Sequence, residues 1–167
     1  EMHVSVDETE VVARMLCGRS GRTHVMLDVG AHFGTSAAHF DARSWTLHCF
    51  EPDPKNRGKL VERFGKRDNV TIDSRAVSDR SARDVSFFQS NESTGISGLH
   101  AFHDTHRESG KVDVTTVAEV VKDRTLDHID FLKIDVEGYD FSVLRGVPWD
   151  RIQPDVIECE FEDRKTV

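Results

Sequence analysis

The chain has 167 residues, of which 37% are hydrophobic and 31% charged, and its formal net charge is −8. This length suits one domain with a full hydrophobic core, and the composition excludes a disordered chain. We therefore expect residues 1–167 to form a single domain. Because basic residues are interleaved with acidic ones rather than gathered on one face, the sequence disfavours nucleic acid as a partner.

Cysteine usage and hydropathy bear on the cellular compartment. The three cysteines, Cys17, Cys49 and Cys159, are odd in number and widely spaced, as in proteins of reducing compartments. Cys49 and Cys159 lie in apolar runs, where buried structural thiols are expected. No stretch approaches the roughly 20 apolar residues of a membrane span, and the first residues are acidic rather than signal-like. The sequence predicts a cytoplasmic protein with no membrane partner.

Short apolar runs alternate with amphipathic segments along the chain, which is the pattern of parallel strands joined by helices. Five strands are predicted, at His24–Val29, Thr46–Glu51, Val70–Val77, Ile129–Val136 and Val156–Phe161. Helices are predicted between them, with Thr35 capping the second, at Glu8–Cys17, Thr35–Arg43, Lys55–Lys66, Val117–Lys122 and Asp140–Leu144. The result is a doubly wound α/β sheet covered on both faces, in which ligands bind beyond the carboxyl ends of the strands.

A minor strand, Val85–Gln89, precedes the segment "SNESTGISGLHAF", whose Ser and Gly content predicts a long loop. Such a loop is a candidate substrate lid, in which Ser97 would contact the site. An equal alternative is a surface loop without a binding role. His100, His103 and His106 suggest zinc, but no fourth ligand stands at a recognisable spacing. We therefore predict no metal site and treat these histidines as solvated or lid residues. His103 and His106 are candidate bases delivered by the loop.

The turn after the first strand departs from a dinucleotide-binding fingerprint. G-x-G-x-x-G counted from Gly30 requires glycines where the chain has His32 and Thr35, which weakens the case for a pyrophosphate ligand. Asp28 stands directly before the turn, where a carboxylate is badly placed for a phosphate and well placed for a cationic amino-acid group.

Glu51 ends the second strand, about 20 residues beyond Gly30, where an acid can accept hydrogen bonds from both ribose hydroxyls. Acids at both places suit a ligand with an adenosine, a positive sulfur and an α-amino group, which is S-adenosylmethionine. A packing glycine or a solvated strand-end acid would explain any one of these residues alone. The prediction depends on the ordered set Asp28, Gly30, Gly34 and Glu51.

Four stretches in order resemble the FkbM-type methyltransferases, which are class I S-adenosylmethionine-dependent enzymes: "LDVGAHFGTSA", "FEPDPKNRGKL", "RAVSD" and "DFLKIDVEGYDFSVLRGV". The last is the most specific, and "DVIECEF" matches the family's fifth strand. The resemblance implies a Rossmann-like class I methyltransferase fold with a mostly parallel central sheet flanked by helices. Since that fold normally continues with an antiparallel pair of strands, we expect those C-terminal strands to be missing and the domain to be truncated after "EDRKTV".

The resemblance also implies roles for individual residues. It places the turn after the first strand at the methionine part of the cofactor, Glu51 on the ribose and the segment 76–78 against the adenine. The cofactor-binding residues expected on this basis are Asp28, Gly30, His32, Gly34, Glu51, Ala76, Val77, Ser78 and Asp135. His32 departs from the family, which commonly has Asn there.

For the proton acceptor, the candidates are Asp135 and Glu137, at the end of the fourth strand. Two carboxylates at alternate strand positions project to one side, and their repulsion could raise one pKa. The alternatives are that Asp135 binds backbone and Glu137 caps a helix, or that both acids hold a divalent metal, for which too few oxygen ligands can be assigned. Glu158, at the same rim, is a candidate for holding a substrate hydroxyl.

The resulting hypothesis is an S-adenosylmethionine-dependent O-methyltransferase acting on a hydroxyl of a small molecule, a sugar or another secondary metabolite. Two alternatives stay open. One is a non-catalytic S-adenosylmethionine-binding module of a larger protein, and the other is an NAD-dependent oxidoreductase. No pattern in the sequence specifies the acceptor or the oligomeric state.

Overall fold

A computed structural model describes residues 7–16, 21–40, 43–90, 97–98 and 106–159 of the protein, with the backbone alone at 89–90, 97–98 and 106–109. The helices are α1 (Glu8–Leu16), α2 (Pro54–Phe64), α3 (Val117–Asp123) and α4 (Asp140–Arg145), with a 3₁₀ helix at Ser36–His39. The strands are β1 (His24–Val29), β2 (Trp45–Phe50), β3 (Val70–Asp73), β4 (Ala76–Val77), β5 (Ala82–Ser90), β6 (Ser97–Gly98), β7 (His106–Thr115), β8 (Phe131–Ile134) and β9 (Val156–Cys159). Within these residues, no helix combines the length and the apolar character that a membrane crossing requires.

The central sheet has the strand order β3-β2-β1-β8-β9, and every pair in it is parallel. Leu27 and Val29 pack on one face with apolar residues of α3 and α4, while Met26 packs on the other with α1 and α2. The predicted α/β class with a mostly parallel sheet flanked by helices is confirmed. The strand order reverses between β1 and β8, which is where ligands bind in such sheets.

The predicted strand Val70–Val77 is wrong as one element, because it divides into β3 and β4. Asp73 accepts hydrogen bonds from the backbone N–H of Arg75 at 3.0 Å and from its guanidinium at 2.8 Å. This local turn interrupts the strand, and β4 leaves the central sheet to pair with β7.

The predicted helix Thr35–Arg43 is also wrong in extent, since only the 3₁₀ helix forms there and Thr35 makes no capping hydrogen bond through its side chain. Phe40 adopts an extended backbone and packs its ring edge-on against Trp45, with 4.5 Å between centroids. By contrast, α2 begins as the proline predicts. The Asp53 carboxylate caps it by accepting hydrogen bonds from the N–H groups of Lys55 and Asn56.

A second sheet, with the order β4-β7-β5-β6, was not predicted. Its main pair is the antiparallel β5 and β7, and β5 extends well beyond the predicted minor strand Val85–Gln89. The β7 sequence, HRESGKVDVT, is mostly polar, so it lacks the apolar run on which the strand prediction relied. In the predicted lid loop, the described residues after β5 form the short strand β6, which pairs with Phe88 and Gln89 of β5.

Strand β9 is partly exposed, contrary to the expectation that all strands of the sheet are covered on both faces. Burial alternates along it, and Ile157 is 37% exposed. Cys159 is exposed, so the predicted burial of its thiol is wrong. Cys49, on the central strand β2, is buried as expected, and this burial raises the pKa of its thiol well above the usual value.

Asp130 anchors the amino-terminal edge of the sheet, opposite the edge where ligands bind. Its fully buried carboxylate accepts a hydrogen bond from the Val25 N–H at 2.8 Å and contacts His24 and Arg22 at 3.0 and 2.9 Å. Burial alone would raise its pKa, but these hydrogen bonds hold it below the usual range. The contribution of Asp130 to stability is therefore lost only as the pH falls through that lowered pKa.

We expect Asp130→Asn to lower the free energy of unfolding by about 2 kcal/mol. The NH₂ group of asparagine cannot accept a hydrogen bond, so one of the groups that donate to Asp130 would lose its acceptor. Urea denaturation at neutral pH measures the change. Asp150→Asn is the matched control, since Asp150 is exposed and lies away from this cluster in sequence. Equal losses in the two variants would contradict the prediction.

Candidate active site

Three polar or turn residues follow adjacent strands at the carboxyl edge of the central sheet. Val29 pairs with Phe50 on one side and with Ile134 on the other. The next residues along each strand are Gly30, Glu51 and Asp135, so these lie side by side at the switch point. The structure therefore brings together the turn, the candidate ribose acid and one candidate proton acceptor.

The two positions of the turn at which glycine stands require it for different structural reasons. Gly30 has φ +83°, and a Cβ there would lie 2.0 Å from the Asp135 carbonyl oxygen, so only glycine lets the turn pass the end of β8. At Gly34, with φ +77°, a Cβ would lie 2.4 Å from the Phe64 ring and 2.7 Å from Leu60. Packing against α2 is thus a sufficient reason for Gly34, and its contact with a cofactor stays a prediction.

Glu51 is buried and held by backbone donors. Its carboxylate accepts hydrogen bonds from the N–H of His32 at 2.7 Å and from the N–H of Asp53 at 2.8 Å. Burial raises the pKa of Glu51 to about 7, although these two hydrogen bonds act to lower it. His32, at φ +50°, therefore acts on the site through its backbone, which fixes the orientation of the acid.

Asp28 is completely buried, and neither carboxylate oxygen has a hydrogen-bond partner among the described residues. Burial raises the pKa of Asp28 to about 6, against the attraction of Lys133. A buried carboxylate without hydrogen bonds is costly, and a residue with such a shifted pKa is a candidate for a functional site. Its chemistry fits a cationic ligand group.

Lys133 is a residue of the site for which the sequence predicted no role, although it lies in the stretch DFLKIDVEGYDFSVLRGV. It lies opposite Asp28 in the register of β8 with β1. Its side chain is buried, with the residue 7% exposed, and its ammonium is 3.2 Å from the Asp135 carboxylate. Burial would lower the pKa of Lys133, but Asp28 and Asp135 raise it above the usual value. A lone lysine within the buried strand FLKI was the signal in the sequence, because an ammonium there requires partners.

Asp135 and Glu137 do not occupy alternate positions of a strand, so that prediction is wrong. Strand β8 ends at Ile134, and Glu137 has φ +52° in a turn that leads to α4. Asp135 is nearly half exposed and is paired with Lys133 rather than with Glu137. The two acids still follow β8, and their roles as proton acceptors stay predictions.

The other predicted site residues are distributed around this edge. Val77 is part of the hydrophobic core and Ala76 is buried. The predicted contact of this segment with an adenine therefore depends on Ser78 and on the backbone. Glu158 accepts a hydrogen bond from the Thr9 hydroxyl on α1 at 3.1 Å, and its contact with a substrate stays a prediction. Ser97 lies on β6, where it pairs with Gln89, and His103 lies outside the described residues.

A cleft of about 480 Å³ lies beside the end of β2, between the start of α2 and the strands β5 and β7. Arg57 borders it and donates hydrogen bonds to the backbone carbonyls of Glu51 and Pro52 at 2.9 and 2.8 Å. The second sheet forms one wall, so sequence reasoning that missed β7 also missed this cleft. In the described parts of the chain, no group of three or more His, Cys, Asp or Glu side chains is arranged to hold a metal ion.

Comparison with known proteins finds both curated relatives and solved structures, and two of the former and one of the latter are described below. The hexuronic acid methyltransferase AglP of Haloferax volcanii is 29% identical over 140 residues, which is 81% of this chain and 55% of the relative. The 2-O-methyltransferase NoeI of Sinorhizobium fredii is 28% identical over 157 residues, which is 84% of this chain and 64% of the relative. The crystal structure of methyltransferase FkbM from Methylobacillus flagellatus matches with a TM-score of 0.50 and 20% identity, over 77% of this chain and 30% of that one.

The chain thus spans a little over half to two thirds of the length of these curated relatives, and the solved structure shows the likeness of the fold. The model of the methyltransferase FkbM domain matches residues 28–166. This match begins at the buried Asp28 and includes every residue placed above at the carboxyl edge of the sheet. The protein belongs to the methyltransferase FkbM domain family.

Proposed function

We propose that this chain is an S-adenosylmethionine-dependent O-methyltransferase domain that methylates a hydroxyl of a small molecule, a sugar or another secondary metabolite. The observation that supports it most is the pair of buried acids at the switch point. The Asp28 carboxylate has no hydrogen-bond partner among the described residues, and Glu51 is fixed by two backbone donors. A ligand with an ammonium group and ribose hydroxyls would satisfy both.

The residues present fit this cofactor. Asp28 would bind the ammonium of its methionine part, and Glu51 would accept hydrogen bonds from its ribose, while Ser78 and the adjacent backbone would lie against its adenine. When bound, S-adenosylmethionine supplies an electrophilic methyl group on a sulfonium. The protein then has to align the acceptor hydroxyl, exclude water and receive one proton.

Asp135 is the better candidate for receiving the proton. It lies directly after β8, its side chain is 46% exposed, and one of its oxygens is 3.2 Å from the Lys133 ammonium. The fixed pairing leaves the carboxylate oriented at the rim, where an acceptor hydroxyl can approach. Glu137, two residues further along the turn, is the second candidate.

The two relatives support the class of acceptor. Their names describe methylation of a hexuronic acid and at a 2-O position, and we propose a hydroxylated sugar for this chain by analogy. The free thiol of buried Cys49 accords with a cytoplasmic location, which we also propose. We also propose that the chain binds neither nucleic acid nor membranes.

Calorimetric titration with S-adenosylhomocysteine and, separately, with NAD tests the proposal. Wild type should bind S-adenosylhomocysteine and not NAD. Glu51→Ala should weaken binding about 30-fold, because the ribose hydroxyls lose the charged acceptor to which they donate two hydrogen bonds. Since burial raises the pKa of Glu51 to about 7, affinity should rise as the pH increases through about 7 and the carboxylate forms.

Glu62→Ala, at an exposed position of α2, is the control and should bind like wild type. Preference for NAD would instead favour the oxidoreductase alternative. A chain that binds S-adenosylhomocysteine but methylates no sugar in a screen that includes hexuronic acids would favour the non-catalytic module.

A further inference from the structure

A row of polar side chains crosses the central sheet just inside its carboxyl edge. The register places Cys49, Asp28, Lys133 and Glu158 next to one another on β2, β1, β8 and β9. Residues paired in this way in a parallel sheet project to the same face. Helix α1 covers the far end of the row, where the Thr9 hydroxyl donates to Glu158.

The charges in this row are unequal. Lys133 lies between Asp28 and Glu158, and its ammonium also pairs with Asp135, so one buried cation faces three carboxylates. Asp28 is 0% exposed and Lys133 is 7% exposed. Attraction to an adjacent ammonium offsets part of the cost of burying the Asp28 charge. The surplus of negative charge leaves room for a second cation, which a ligand would bring.

We propose that Lys133 is a positioning residue that keeps the buried Asp28 ionised, so that Asp28 can bind the ammonium group of the cofactor. This inference rests on the proposed function for the identity of the ligand, but the coupling between Lys133 and Asp28 exists without one. Lys133 acts on the ammonium group of the cofactor through Asp28, while its ion pair with Asp135 orients the proposed proton acceptor. It touches neither methyl group nor acceptor in the proposed reaction.

The groups around this pair define its pH dependence. Asp28 faces Cys49 on β2, whose buried thiol is neutral, and Lys133 on β8. Lys133 faces Glu158 on β9 and Asp135 after β8. From α1 and the residue before it, Glu8 and Asp7 act on Glu158. In this set, Lys133 is the group that lowers the pKa of Asp28, while Asp135 and Glu158 raise it, so its removal should leave Asp28 protonated near neutral pH.

The test compares Lys133→Met, Asp28→Asn and the double variant with wild type. Calorimetry with S-adenosylhomocysteine from about pH 6.5 to about pH 9 should show Lys133→Met binding about tenfold or more weakly near pH 7, with the difference shrinking as the pH rises. In the Asp28→Asn background, Lys133→Met should cause no further loss, because the carboxylate through which Lys133 acts is absent. Lys122→Met, at an exposed position of α3, is the matched control.

Urea denaturation of the same four proteins separates this inference from the proposed function. Lys133→Met should lower the unfolding midpoint more when Asp28 is present than when it is asparagine, and Lys133→Gln replaces it if the Met variant does not fold. Equal losses in both backgrounds, or a binding defect that is the same at every pH, would overturn the inference. If folded wild type binds no S-adenosylhomocysteine, the proposed function fails, and the unfolding data still decide whether Lys133 holds Asp28 charged.

Discussion

Gly30→Ala is expected to destabilise the domain by about 4 kcal/mol, which is a large part of the roughly 5–15 kcal/mol by which native proteins are stable. The φ of +83° costs a residue with a Cβ about 1–2 kcal/mol. In addition, the new Cβ would lie 2.0 Å from the Asp135 carbonyl oxygen, which is backbone and cannot swing aside, and such overpacking costs about 1–3 kcal/mol. Relief would require β1 and β8 to separate at the point where the Asp135 N–H donates to the Val29 carbonyl at 2.9 Å.

Circular dichroism and urea denaturation measure this effect. The matched control is Gly58→Ala, because Gly58 lies inside α2 and a Cβ there would meet nothing within 4 Å. That change should be neutral or stabilising by up to about 1 kcal/mol, since alanine favours helix. An unfolding curve for Gly30→Ala that coincides with wild type would show that the turn relaxes without strain.

Asp28→Asn should change stability and binding in opposite directions. Burial raises the pKa of Asp28 from 3.8 to about 6, so the folded chain holds this proton more tightly than the unfolded chain. Stability from this group is therefore present below about pH 4 and is lost as the pH rises to about 6. Asparagine carries no charge to bury, so above about pH 6 the variant should gain on the order of 2 kcal/mol in free energy of unfolding.

The affinity of the same variant for S-adenosylhomocysteine should fall. Loss of a buried charge partner costs about 2–5 kcal/mol, which corresponds to a loss of about 100-fold in affinity for S-adenosylhomocysteine. Urea denaturation at about pH 5 and about pH 8, together with calorimetry, provides both readouts, and Asp150→Asn at an exposed position is the control. A variant that is less stable than wild type at about pH 8 and keeps its affinity would contradict both expectations. The opposite signs would identify Asp28 as a group kept for its ligand at the expense of the free protein.

The parts of the fold that depend on local pattern were predictable. Strand β1 has the predicted bounds, and α2 starts at the proline with Asp53 as its cap, because an apolar run and a capping residue act within a few residues of the chain. Strand β7 was missed since its pairing with β5 comes from residues distant in sequence. The break at Ser74 was missed because Arg75 turns back onto Asp73, which an apolar count does not register.

At the site, the sequence by itself determined which residue types stand at the ends of the strands. Asp28, Gly30 and Glu51 were identified in that way, since parallel strands bring their carboxyl ends to one edge. Only the tertiary structure decided what surrounds each of them. It placed Lys133 beside Asp28 on the adjacent strand, showed that Gly34 packs against α2, and placed Glu137 in a turn beyond the strand. Burial and charge pairing depend on neighbours from separate elements, so the state of an ionisable group cannot be determined until those elements are packed together.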